Sequence, residues 1–124
     1  MVKEKRNRYV IFRIMSSEKL DLNKYQLLKI IFSSVLKLYG EVGASFIHIN
    51  LIEYDANLQK GIIKCNHNAL VMLRAALCII HEINGKQAFF HIIKVTGTLK
   101  KAREILNSLP KSLTLGDEEA VPVV

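Results

Sequence analysis

The sequence predicts an α+β sandwich, a four-stranded antiparallel sheet with packed helices, in the order β-α-β-β-α-β-α. Three observations carry that reading. Short β-branched runs alternate with longer stretches of helical period, turn residues mark their boundaries, and two adjacent strand-like runs flank the link Asp55 to Lys60. Half of the residues are apolar, which suits a packed core and excludes a disordered chain.

Arg8 to Met15 (RYVIFRIM) is β-branched and aromatic and reads as the first strand. Val10, Phe12 and Ile14 share one face, and Tyr9, Ile11, Arg13 and Met15 the other. Asp21 or Asn23 can cap a helix running to about Tyr39, with Gly40 past its end. Leu27, Leu28, Ile31, Val35 and Leu38 form its apolar face, with Lys24, Lys29, Ser33 and Lys37 mostly opposite. An isoleucine-rich strand from about Phe46 to Tyr54 and a third from Gly61 to Asn66 form a hairpin over the intervening turn residues. A second helix spans about Asn68 to Ile83 and stops at Asn84-Gly85. Ala88 to Val95 is the fourth strand, and Thr98 to Leu109 a third helix ended by Pro110. This is the split βαβ, ferredoxin-like order, whose right-handed crossovers put the first two helices on one sheet face. Residues 1–110 read as one domain, and residues 111–124, ending GDEEAVPVV, as a flexible acidic tail.

The opposite sheet face then carries Tyr9, Ile11, Arg13, Met15, Ile62 and Lys64, with Ile63 and Cys65 inward. Alternation assigns Phe90, Ile92 and Lys94 to the same open face. So apolar a surface requires a cover: the tail, the third helix, another protein, or RNA.

Charge narrows the function. Eighteen Lys and Arg against eleven Asp and Glu give a net charge of +7, which attracts polyanions. The N-terminal octet contributes Lys3, Lys5, Arg6 and Arg8 against Glu4 alone. The longest apolar run, Ala69 to Ile80, is too short for a membrane span and contains Arg74. A charged N-terminus without an apolar signal region, and two cysteines that make no disulfide framework, point to the cytoplasm.

Two stretches invite a chemical reading. Cys65-Asn66-His67 could suggest a metal, but zinc needs about four ligands, and Cys78, His48, His81 and His91 offer no second close pair. Strand alternation instead turns Cys65 inward as a small apolar residue. Thr96-Gly97-Thr98-Leu99-Lys100-Lys101 follows a strand and opens a helix, with Thr98 as N-cap. Its free N–H groups, its dipole and Lys100 or Lys101 could hold a phosphate, although it is no nucleotide-hydrolysing loop. His67, Val71, Arg74, Cys78 and His81 step by four, three, four and three, a stripe facing away from the core that suits a partner contact. Most of the aromatic residues fit core positions, and only Tyr9 points outward on the central strands. Base stacking on the sheet is therefore not supported, and RNA recognition would proceed by charge and shape.

Taken in order, Arg6-Asn7-Arg8-Tyr9, Gly40 to Ser45 (GEVGAS), Tyr54-Asp55, Gly61 to His67 (GIIKCNH), Leu73 to Leu77 (LRAAL) and Val95 to Ala102 (VTGTLKKA) form a recognisable series. The chain resembles the archaeal ribonuclease P protein component 2 family, counterpart of the eukaryotic Pop-five subunit, over about Arg6 to Ala102. Lys64 stands where the family pattern has arginine, and Thr96 where serine often precedes Gly-Thr; both keep the chemical type. The resemblance implies an RRM-like subunit of the ribonucleoprotein that removes the 5′ leader from precursor tRNA. It implies that the catalytic Mg²⁺ belongs to the RNA, with no cofactor or metal bound by this chain and no catalytic residue in it. The implied partners are ribonuclease P RNA, precursor tRNA and a TIM-barrel protein subunit in a two-plus-two heterotetramer, with no membrane. On that reading Arg6, Arg8, Arg13, Lys64, Lys94, Lys100 and Lys101 contact RNA phosphates. His67, Val71, Arg74, Ile11, Met15 and Ile62 meet protein partners. The alternative is a ferredoxin-like phosphate-binding enzyme of acylphosphatase type, or a small-molecule regulatory domain. Against it, the first strand lacks a Gly-rich phosphate loop and no acid–base pair is evident.

Overall fold

The computed structural model describes residues 6–109; Pro110, the expected tail at 111–124 and the boundary between tail and domain lie outside the described residues. The elements are β1 (Asn7–Ser16), α1 (Lys24–Ala44), β2 (Ile49–Asp55), β3 (Lys60–Asn66), a 3₁₀ turn (His67–Ala69), α2 (Leu70–Cys78), β4 (Glu82–Ile83), β5 (Lys86–Thr96) and α3 (Leu99–Ser108). The strands lie in the order β2-β3-β1-β5-β4, each antiparallel to its neighbours.

That is the expected ferredoxin-like arrangement with one strand more. The difference arises where the second helix was expected to continue to Ile83. It ends at Cys78, and Glu82 and Ile83 pair instead with Gln87 and Lys86. Asn84 and Gly85, at φ 52° and 81°, supply the two positive-φ positions of a tight hairpin turn rather than a helix stop.

At the start of α1, Asn23 is the cap. Its Oδ1 accepts from the Gln26 N–H at 2.8 Å, and the Gln26 Oε1 accepts from the Asn23 N–H at 2.9 Å. Gly40, at φ 70°, interrupts the helix where its end was expected, and one more turn follows to Ala44.

Burial follows from alternation in β1. Val10, Phe12 and Ile14 pack with Leu27 and Ile31 of α1 and Leu73 and Leu77 of α2. Ile11 and Ile62, on the other face, pack with Ala102 and Leu106 of α3. The third helix is therefore the cover that the open face required, and Val10 to Met15 are all buried.

Two register shifts widen the face beneath α3. In β5, Ile11 pairs with Lys94 but Phe12 with Ile92, so Ile93 is an extra residue. In β2, Leu51 pairs with Ile63 but Glu53 with Ile62, so Ile52 is extra. Both extra isoleucines pack against the α3 cluster. The shift in β5 corrects the expected phase of that strand: Phe90 and Ile92 belong to the core under α1 and α2, while Lys94 stays on the α3 face and is exposed.

Gly61 sits across from Phe12, whose ring stacks on Tyr54 with centroids 6.2 Å apart. A Cβ at Gly61 would lie 2.3 Å from the Glu53 carbonyl oxygen and 3.0 Å from Phe12 Cζ. Gly61→Ala is therefore expected to lower the unfolding free energy by about 1–3 kcal/mol, measured by urea denaturation. An unchanged midpoint would show that the β2–β3 pairing yields without cost.

Candidate nucleic-acid interface

Strand pairing gathers one end of every long element. Asn7 faces Asn66, Tyr9 lies between Lys64 and Thr96, and the His67 N–H donates to the Arg6 carbonyl at 2.8 Å. The β5–α3 turn belongs to this end, since a Cβ on Gly97 would lie 3.9 Å from Arg8 Nη1. Arg6, Arg8, Lys64, Lys94, Lys100 and Lys101 thus collect around the open end of β1, β3 and β5, with His48 and His67 beside them. Of the seven acids among the described residues, Glu18, Asp21, Glu53, Asp55, Glu82 and Glu104 lie toward the other end or on α3, leaving Glu41 nearest this one. One end of the sheet is accordingly electropositive.

The side chains differ in how they reach that rim. Arg6, Lys94, Lys100 and Lys101 are exposed, while Arg8 and Lys64 are half-buried. Arg8 Nη1 donates to the Asn7 carbonyl at 2.9 Å. Thr98 caps α3 by accepting from the Lys101 N–H at 3.3 Å, and Thr96 Oγ1 donates to the Thr98 carbonyl at 2.9 Å, fixing the turn. Helix geometry leaves the Leu99 and Lys100 N–H groups without acceptors within α3. Lys100 and Lys101 sit in this first turn, with no acid there to offset the positive end of the helix dipole.

Arg13 does not join them. It is 5 % exposed, at the far end of the α3 face, and its cross-strand partner Lys60 is 8 % exposed. Lys60 Nζ donates to the Leu106 carbonyl at 3.0 Å, so Lys60 lies beneath the C-terminal end of α3, where the dipole favours positive charge. Burial lowers the Arg13 pKa from its ordinary value. The structure thus places Arg13, expected as a phosphate contact, in a buried position apart from the exposed cations of the rim.

The expected partner surface divides in the same way. Ile11, Met15 and Ile62 are 0 %, 4 % and 0 % exposed, and Ile11 and Ile62 pack beneath α3. His67, Val71 and Arg74 are exposed as expected. The stripe is shorter than its spacing implied, because His67 belongs to the 3₁₀ turn and His81 lies beyond the end of α2.

Cys65 faces the core and is fully buried, whereas His67 points to solvent, so the two do not converge. Among the described residues no three His, Cys, Asp or Glu side chains are placed to hold a metal ion. Burial pushes the Cys65 thiol up to about 11, against the opposing pull of the Arg8 charge. Tyr54 is raised to about 12 by burial and by the nearby Asp55 carboxylate. A thiol held neutral and covered is not a nucleophile.

Sequence reasoning missed an apolar cleft of about 490 Å³ between α1 and β2, lined by Tyr25, Leu28, Phe32, Ile47 and Ile49 among others. Tyr25 and Phe46 are 72 % and 66 % exposed, and Phe32 and Phe89 are also exposed, so these four are outside the majority of aromatics that fit core positions. The available signal was the seven-residue spacing of Tyr25 and Phe32, which forms a second stripe beside the core face of α1.

Residues 8–107 match the Rpp14/Pop5 family, and the chain belongs to that family. It is 34 % identical over 98 residues to ribonuclease P protein component 2 of Pyrococcus horikoshii, covering 79 % of this chain and 80 % of the relative. The protein of the same name from Methanosarcina acetivorans is 34 % identical over 99 residues, covering 80 % of this chain and 72 % of the relative. A chain in the cryo-EM structure of yeast ribonuclease MRP superposes with a TM-score of 0.66 at 11 % identity, covering 86 % of this chain and 90 % of that one, a likeness of fold.

The thiols provide a check on this geometry. In the native protein at pH 8, iodoacetamide is expected to modify exposed Cys78 and spare Cys65, which reacts only after unfolding. Because the folded pKa of Cys65 lies above its ordinary 9.0, its contribution to stability is complete below pH 9 and lost as pH rises toward 11. Mass spectrometry of labelled peptides reads the first outcome, and denaturation midpoints of wild type and Cys65→Ala from pH 8 to 11 read the second. Fast native labelling of Cys65 would contradict its burial.

Proposed function

We propose that this chain is a protein subunit of ribonuclease P, supporting the catalytic RNA in removing the 5′ leader of precursor tRNA without carrying the chemistry itself. The observation that carries this reading is the convergence of Arg6, Arg8, Lys64, Lys94, Lys100 and Lys101 at one end of the sheet, in a chain whose relatives are named ribonuclease P protein component 2. Two cations in the first turn of α3 are unfavourable to the helix alone, and a phosphate seated there offsets them and takes up the unpaired N–H groups. Such contacts position a protein on the backbone of RNA without selecting sequence. Because α3 covers the sheet face, the RNA meets the ends of the strands and not their flat surface.

The remaining parts of the proposal concern the assembly. Mg²⁺ is held by the RNA, and this chain contributes cations that lower repulsion between RNA segments around that metal. The protein partner is a TIM-barrel subunit, in a two-plus-two arrangement, meeting the exposed stripe of His67, Val71 and Arg74. The complex works in the cytoplasm; no helix among the described residues is long and apolar enough to cross a membrane.

Reconstitution tests this directly. Adding the protein and its TIM-barrel partner to the cognate RNA at modest Mg²⁺ is expected to raise precursor-tRNA cleavage above that of RNA alone, and no gain would refute the assignment. RNA affinity should fall steeply with salt, and Lys100→Ala with Lys101→Ala should reduce the slope of log K against log[salt] by about 0.7–0.9 per lost phosphate contact. A salt-independent affinity would exclude the phosphate contacts.

A further inference from the structure

We infer that a cleft beside the basic rim takes one unstacked nucleobase of the bound RNA and reads its hydrogen-bonding edge, an inference that rests on the RNA-binding reading above. The cleft lies where β1 and β2 begin and β3 ends, and is lined by Asn7, His48, Ile49, Asn50, Lys64 and Asn66. Its volume of about 320 Å³ is at the lower end of the roughly 300–1,000 Å³ of small-ligand pockets.

The chemistry of the lining is selective. Asn66 is committed to the fold: its Oδ1 accepts from the His48 N–H at 2.9 Å and its Nδ2 donates to the Phe46 carbonyl at 3.3 Å. It thereby ties the end of β3 to the chain entering β2 and forms a fixed wall. The side chains of Asn7, Asn50, Lys64 and the His48 ring, by contrast, make no hydrogen bond within the described residues. Each free amide offers two donors and a carbonyl acceptor, the pairing set that matches a base edge bidentately. Register places Asn50 across from Lys64, and Asn7 across from Asn66, so these polar groups share the α3 face of the sheet.

Two features favour a base over other ligands. The cleft adjoins Arg6, whose carbonyl is bound by the His67 N–H, so a strand whose phosphates follow the rim passes its mouth. No Phe, Tyr or Trp lines it, and the His48 imidazole is its one ring, so the amides hold the base by its edge against Ile49 rather than on a broad aromatic platform. Phosphate contacts at the rim are indifferent to sequence; the cleft adds a preference.

The test compares binding of the full chain to hexamers of A, C and U and to a duplex RNA. A preference of at least about fivefold among the hexamers is expected, as one bidentate amide–base pair provides. Asn7→Ala with Asn50→Ala should reduce that preference to within about twofold while leaving the salt slope unchanged. Asn50→Ala alone, at an exposed position, gives the same readout if the double variant loses stability. Equal affinity for all hexamers, or a preference untouched by these substitutions, would overturn the cleft while leaving the RNA-subunit reading intact. Failure to bind any RNA, duplex included, would overturn that reading itself. Free ribonucleoside monophosphates distinguish the source of the base: if they shift the Asn7 and Asn50 side-chain NMR signals as strongly as the hexamers do, the cleft is a free-nucleotide site and the strand-bound base is excluded.

Discussion

The central constraint on this fold is that β1 is buried on both faces. From Val10 to Met15 no residue reaches solvent to any large extent. A strand of that kind needs helices above and below it, and the chain supplies α1 and α2 on one side and α3 on the other. Covering both faces removes the flat sheet as a binding platform and leaves the strand ends and the outer faces of the helices. The basic residues lie at one such end, where β1 begins, β3 and β5 end, and α3 starts. Burial thus decides where recognition can occur.

The opposite end shows the electrostatic counterpart of that arrangement. Arg13 and Lys60 are like charges in direct cross-strand register, a pairing that costs stability unless something compensates it. For Lys60 that compensation is the C-terminal end of α3, where its ammonium is hydrogen-bonded to the Leu106 carbonyl. The same helix presents its positive end to the basic rim. One dipole therefore serves both ends: it stabilises the buried Lys60 ammonium at its C-terminus and adds to the field of exposed cations at its N-terminus.

Much of this was legible in the sequence because it depends on local chemistry. The element order, the Asn23 and Thr98 caps, the β2–β3 hairpin and the inward turn of Cys65 follow from periodicity and capping preferences. The misses have tertiary causes. Arg13 lies in a strand that alternates correctly, yet nothing local reveals that this position would be buried. Asn84-Gly85 stops a helix or turns a hairpin with equal ease, and pairing with Lys86 and Gln87 decided the matter. Asn7 and Asn50 are 43 residues apart in a chain with many asparagines, and only the shared register with β3 brings them to one cleft. Tyr25 and Phe32 resembled core residues because composition does not say which of two adjacent helical stripes meets the sheet.

The extra residues Ile52 and Ile93 carry an implication for how such a surface is acquired. Each stands next to a charged residue on the same face, Glu53 or Lys94, so regular alternation resumes on both sides of it. Removing either one would leave every other side chain oriented as before and would only narrow the apolar strip under α3. An apolar docking strip can therefore grow by insertion, one residue at a time, inside paired strands and without exchanging the inner and outer faces. Length differences among relatives are then to be expected within β2 and β5, and not in loops alone. The strip that holds α3 is in this sense an addition to the sheet, separable in geometry from the core beneath it.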